Sequence, residues 1–191
     1  MGPHIDGLTK RLSSAAFTVK KITSLTDVET ARLVYFSYFH SIMSYGILLW
    51  GYAADIQPIF VLQKRGIRAI YNLGPKDSLR QKFKEINILT VASQYIFENV
   101  MYVKKNINNF TKIGDSHNIN TRNKHNLGAP VTRLHRIRNT FMGQCVRFYN
   151  RNSENVREFS ISRFKRNVKR RLCVKGYYQI NDFVNDNTSW E

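Results

Sequence analysis

From Ile5 onwards, Leu8, Leu12, Ala15, Val19 and Ile22 recur at spacings of three and four, with Lys10, Arg11, Lys20 and Lys21 off the stripe. That period predicts an amphipathic helix. A second helix is expected to begin at Thr26, because Thr26-Asp27-Val28-Glu29 has the capping-box spacing. It should run through Ala31, Val34, Phe36, Phe39, Ile42 and Met43 towards Trp50, with Gly51 as its stop. Apolar residues fall on nearly every side between Leu33 and Trp50. This predicts the central, most buried helix of the fold.

Asp55 is the expected cap of the next helix, with Pro58 tolerated in its first turn and Phe60, Val61, Ile67, Ile70 and Tyr71 as its apolar face. A short helix is expected around residues 78–86, and a longer one from Thr90 through Val91, Tyr95, Val100 and Val103. From Asn106 to about Asn139 the chain is rich in Asn and basic residues, which predicts an irregular, mobile connection. Beyond it come a short helix near Thr140–Tyr149, a basic helix from about Ser160 to Cys173 closed by Gly176, and a Tyr177-Tyr178 tail. Strand alternation and hairpin turns are weak throughout, so the fold class is mainly α. The organisation expected is a helical domain over 1–106, an irregular basic linker over 107–139, and a smaller basic helical region over 140–191.

Charge sharpens this picture. Thirty Lys and Arg against 13 Asp and Glu leave a net +17, a balance that favours a polyanionic partner such as nucleic acid. Residues 111–191 hold 16 basic and 6 acidic side chains, against 14 and 7 in the first 110. The two cysteines, Cys145 and Cys173, cannot build a disulfide scaffold. A zinc site from Cys145, Cys173, His125 and His135 matches no common spacing, so two ordinary reduced cysteines are expected. The opening Met1-Gly2-Pro3-His4 has no signal-peptide pattern, and Ile42–Trp50 is too short to span a bilayer. An intracellular location, in nucleus or cytoplasm, is expected, with no membrane and no small-molecule substrate as partner.

Phosphate-loop, dinucleotide, nucleophile-elbow and zinc-protease motifs are absent from the sequence. The acids are dispersed, whereas metal-assisted nucleotidyl transfer needs convergent carboxylates. The basic residues are more informative. Arg163, Lys165, Arg166, Lys169, Arg170, Arg171 and Lys175 follow one another with no acid between them. On a helix, Arg163, Arg166 and Arg170 share a side with Lys169 beside them, while Phe164, Val168, Leu172 and Cys173 form the docking stripe. This suits a phosphate-tracking helix, although a solvated face or a nuclear-import signal has the same composition. Lys64, Arg65 and Arg68 form a second cluster. Arg122 and Lys124 add basic side chains in the Asn-rich stretch, beside His117 and His125.

The segment Tyr38-Phe39-His40-Ser41-Ile42-Met43-Ser44-Tyr45-Gly46 through Trp50-Gly51, followed by Leu62-Gln63-Lys64-Arg65-Gly66-Ile67-Arg68, resembles the region after the polymerase core in jockey-type insect non-LTR retrotransposon reverse transcriptases. His117-Asn118-Ile119-Asn120-Thr121-Arg122 is similar to that family's HN-x-NTR stretch. Gly143 through Phe148-Tyr149-Asn150, then Phe164-Lys165 and Tyr177-Tyr178, resemble its later blocks in the same order. The resemblance covers nearly the whole chain, and none of its blocks is a catalytic motif. It implies the thumb of an RNA-directed DNA polymerase plus its C-terminal extension, without fingers, palm or endonuclease. The fold implied is a thumb-like helical bundle, then the Asn-rich loop and the basic helical part.

The family's active site is a Phe/Tyr-Ala-Asp-Asp motif that holds magnesium with a further aspartate. Tyr52-Ala53-Ala54-Asp55 does not match it, because Ala54 stands in place of the first paired aspartate and leaves Asp55 without its partner. The resemblance thus implies RNA-directed DNA polymerase ancestry, while the residues imply no polymerase activity in this chain alone and no cofactor of its own. Its implied partners are RNA or DNA, as template–primer duplex, and the polymerase core if the chain is part of a longer protein. Two other readings remain open at this level: a stand-alone RNA- or DNA-binding module derived from such an element, and a protein-interaction domain.

Overall fold

The structure is a computed structural model and describes residues 2–116, 123–129, 140–186 and 188. Among these residues every regular element is helical, and the single extended pairing is an isolated bridge between Lys112 and Leu127. The mainly α class is therefore correct.

Helix α1 (Gly2–Thr23) buries Ile5, Leu8, Leu12, Ala15, Ala16 and Val19, the stripe read from the sequence. Its end displaces the expected start of the second helix. The Thr26 hydroxyl donates back to the Ile22 carbonyl at 2.9 Å, so it serves α1. Asp27 caps α2 (Val28–Val34) instead, its Oδ1 accepting from Thr30 N at 3.2 Å. The long second helix is also interrupted. A π-helical segment (Tyr35–His40) and α3 (Ser41–Ser44) follow, and then the chain turns at Gly46, whose φ of 62° is open to glycine at little cost. Trp50, in α4 (Ile47–Trp50), fastens that turn by donating its indole N–H to the Tyr45 carbonyl at 3.0 Å.

The interrupted segment is not the most buried one. Tyr35 and Phe39 are fully enclosed and stack at 5.3 Å, but Leu33, Tyr45 and Leu49 are 70–82% exposed. The central helix is α7 (Val91–Lys105), where Thr90 Oγ1 accepts from Ser93 N at 3.1 Å as the cap. It buries residues on all sides, including the polar Ser93, Gln94 and Asn99. Those polar side chains mask its centrality in the sequence. Asn99 is accommodated by donating to the Tyr95 carbonyl at 2.7 Å.

Helix α5 (Gln57–Ile70) lies along α1 and also touches α7. Asp55 does not cap it, contrary to expectation. The chain enters through Ile56, already helical at φ −71° and ψ −20°, and Pro58 offers no N–H to a cap oxygen. After α6 (Arg80–Glu85) and α7, the chain passes a 3₁₀ turn (Ile107–Asn109) and α8 (Ile113–Ser116). Residues 123–129 are irregular but tethered. The Asn150 carboxamide donates to the Leu127 carbonyl at 2.9 Å and accepts from Leu127 N at 3.0 Å.

The last part comprises α9 (Phe141–Asn150), α10 (Glu154–Arg157), α11 (Ile161–Lys175) and α12 (Ile180–Asn185). Both α9 and α11 pack on α7, so residues on either side of the Asn-rich stretch share one core. The expected Tyr177-Tyr178 tail is a built element: Phe183 of α12 is fully enclosed, edge-on to Phe148 at 5.2 Å and to Tyr177 at 5.5 Å.

Candidate nucleic-acid interface

Two basic helices, α5 and α11, lean on α7 and carry most of the residues singled out from the sequence. Local signals set α11 in register. Ser160 Oγ accepts from Arg163 N at 3.4 Å, and Gly176, at φ 58°, returns its N–H to the Leu172 carbonyl at 2.9 Å. Phe164, Val168, Leu172 and Cys173 are buried beneath it, as the periodicity predicts. The opposite face exposes Arg163, Lys165, Arg166, Lys169 and Arg170, while Arg171 is half-buried. Arg163 lies 4.0 Å over the Phe159 ring, which holds its guanidinium against the helix start.

The nearby cations differ in their commitments. Lys175 pairs with Asp186 at 3.0 Å, and hydrogen bonds from Thr188 and then Tyr177 hold the Asp186 carboxyl well below the usual carboxylate range. Lys104 donates to the Arg157 carbonyl and lies 5.3 Å from the Phe164 ring; burial lowers its pKa. Arg157 is a staple: it donates to the Asn152 carbonyl at 2.7 Å, Asn126 Oδ1 at 2.8 Å and the His125 carbonyl at 3.1 Å. These side chains hold the fold, whereas the α11 row faces outwards.

The second cluster lines a groove of about 1190 Å³ between the end of α1 and α5. Lys64, Arg65 and Arg68 enter it from α5, and Lys20 joins them from α1. Arg65 is exposed; Lys64 and Arg68 are half-buried. Lys64 lies 4.7 Å over the Phe60 ring, and Arg68 donates to the Asp77 carbonyl at 2.9 Å. Asp27 also lines the groove, but its carboxylate is occupied in capping α2: hydrogen bonding from Thr30 lowers its pKa. A cleft with several fixed cations and one committed acid raises the local concentration of anions.

Lys20 was not legible as a member, because it stands far from the α5 cluster in sequence and only the packing of α1 on α5 brings them together. Lys124 is exposed, and its carbonyl accepts from Gly114 N at 3.0 Å. Arg122 lies outside the described residues, as do His117 and His135. His125 faces Glu154 at 3.2 Å. Cys145 and Cys173 are both buried with free thiols, and burial pushes the Cys145 thiol up to about 11.

A magnesium pair of the polymerase type has no donor set among the described residues, where no three His, Cys, Asp or Glu side chains converge. Asp55 is exposed beside Ala54. Among the described residues no helix is long and apolar enough to cross a membrane.

No protein-family model matches the chain, and no curated protein or solved structure matches it.

Proposed function

We propose that this chain is the thumb and post-thumb part of a non-LTR retrotransposon RNA-directed DNA polymerase, lacking fingers and palm, and that it grips template–primer nucleic acid by its phosphates. The observation that carries the reading is the outward row Arg163, Arg166, Lys169 and Arg170 on a helix anchored by Phe164, Val168 and Leu172. Cations fixed on a packed helix follow a phosphate backbone without reading bases. The groove at Lys20, Lys64, Arg65 and Arg68 supplies a second contact zone of the same sign. Lys124, Arg122, Lys165 and Arg171 complete the proposed contact set. The chain binds and does not catalyse; magnesium belongs to the core it would serve. Such a protein works inside the cell, in nucleus or cytoplasm.

The same chemistry serves a stand-alone RNA- or DNA-binding module derived from such an element. A protein-interaction domain is the reading favoured by a different observation, the exposed apolar side chains Leu33, Tyr45 and Leu49.

Fluorescence anisotropy of the full chain against an RNA–DNA hybrid, single-stranded RNA and single-stranded DNA separates these readings. Gripping through phosphates predicts that the logarithm of affinity falls linearly with log salt, with a slope of about 0.7–0.9 per phosphate neutralised. Negligible affinity for all three probes at low salt overturns the nucleic-acid reading and leaves the interaction domain. Tightest binding to the hybrid duplex supports the thumb role over the stand-alone module.

A further inference from the structure

A second, smaller cleft, of about 270 Å³, opens between the start of α5, the start of α7 and the turn into α12. It lies below the roughly 300–1,000 Å³ of pockets that hold drug-sized ligands, which limits it to a single small ring system. Its walls combine the rings of Tyr52, Phe60 and Tyr178 with the carboxamide side chains of Gln57, Gln179 and Asn181. Aromatic faces with neighbouring amide donors and acceptors are the chemistry that recognises a planar base with polar edges. Phe60 and Tyr178 meet edge to face at 4.8 Å, so this corner is built by packing across distant parts of the chain.

Cations stand on the same rings. Lys64 lies 4.7 Å over Phe60, and Arg80 lies 5.1 Å over Tyr178. Lys64 also lines the larger cationic groove, so the groove and the cleft are neighbours along one side chain.

We propose that this cleft receives one unpaired nucleobase of the bound strand, stacked on Tyr52 and Tyr178 and met at its edge by Gln57 and Asn181. The assignment rests on the nucleic-acid reading above. It goes beyond that reading because phosphate gripping requires no contact with a base.

The test uses the full chain and a short single-stranded oligonucleotide carrying 2-aminopurine, beside the same strand made abasic throughout. The abasic strand should bind about tenfold weaker or more at equal salt, with an unchanged salt slope. Binding should quench 2-aminopurine, and Tyr52→Leu, which keeps apolar bulk, should reduce that quenching. Gln57→Ala and Asn181→Ala remove exposed side chains that the core does not use, so they should weaken the base-bearing strand alone. Equal affinity for base-bearing and abasic strands overturns the cleft assignment and leaves phosphate gripping intact. Equal competition by a free nucleoside monophosphate overturns the assignment to a strand. Failure of both strands to bind at low salt while an RNA–DNA hybrid still binds overturns the cleft assignment alone, and failure of the hybrid as well overturns the functional reading with it.

Discussion

The side-chain amide of Gln63 donates to the Leu89 carbonyl at 2.8 Å, across the space between α5 and the entry to α7. Its oxygen accepts from Val91 N at 3.0 Å, so one carboxamide satisfies two backbone groups at the start of the central helix. Gln63 is fully buried and also donates to the Tyr35 hydroxyl at 3.2 Å. Gln63→Leu keeps the volume and orphans those groups, at about 1–3 kcal/mol for a buried unsatisfied partner. The expected loss of stability is about 2–4 kcal/mol, read from the urea midpoint. An unchanged midpoint would show that water replaces the amide.

Gly51 is required by space. Its φ of −65° suits any residue, but an added Cβ would stand 2.3 Å from the Tyr95 ring and 2.6 Å from the Ile47 carbonyl oxygen. Tyr95 is fully buried on α7 and cannot swing away. Gly51→Ala should therefore cost about 1–3 kcal/mol, the range for overpacking a close-packed interior. Thermal unfolding that matches the parent would mean that α4 moves away from α7 freely.

Phe183 closes the far end of the core, with Arg151 lying 5.0 Å over its ring. Phe183→Ala should destabilise the whole chain by about 3–5 kcal/mol, because it removes a fully buried ring packed against Phe148 and Tyr177. A variant that lost only α12 helicity, with the rest of the unfolding curve unmoved, would make α12 an appendage.

How much of this was legible depends on whether the deciding signal is local. Ser160, the Phe164–Leu172 stripe and Gly176 lie within one helix, so α11 and its outward charge could be read directly. The Ile5–Val19 stripe fixed α1 in the same way. The break at Gly46 was hidden by apolar residues on every side of it, several of which, such as Tyr45 and Leu49, the fold leaves exposed. The centrality of α7 was hidden by Ser93, Gln94 and Asn99, polar residues that the fold nevertheless buries on this helix. At the site, clusters contiguous in sequence were visible, whereas Lys20 and Arg80 join only through tertiary packing.

Asp186 links the C-terminal segment to pH. Its carboxylate accepts from Thr188 and Tyr177 and faces Lys175, and these contacts hold its pKa below the ordinary value of 3.8. A carboxyl depressed in the folded state stabilises the fold at pH values above its unfolded pKa. That contribution shrinks as pH falls below about 4, towards the folded value. Asp186→Asn should be less stable than the parent at neutral pH, with the gap narrowing on acidification. A gap constant from pH 7 to pH 2 in stability measured by denaturant titration would show that charge at Asp186 contributes nothing.

The outward row on α11 makes the most direct prediction about function. Arg163, Arg166, Lys169 and Arg170 are exposed, so replacing all four with Ala should leave the fold close to its parental stability. If the four meet phosphates, binding should weaken to a similar degree for every sequence, and the salt slope should flatten by about 0.9 for each duplex phosphate no longer neutralised. Lys104 is the control, since it is engaged with the Arg157 carbonyl and the Phe164 ring. Lys104→Met should lower stability without flattening the slope. A quadruple variant with the parental slope would remove α11 from the interface and move the phosphate path to the groove at Lys64, Arg65 and Arg68. Flattening by Lys104→Met at unchanged stability would instead place Lys104 itself on the phosphate path.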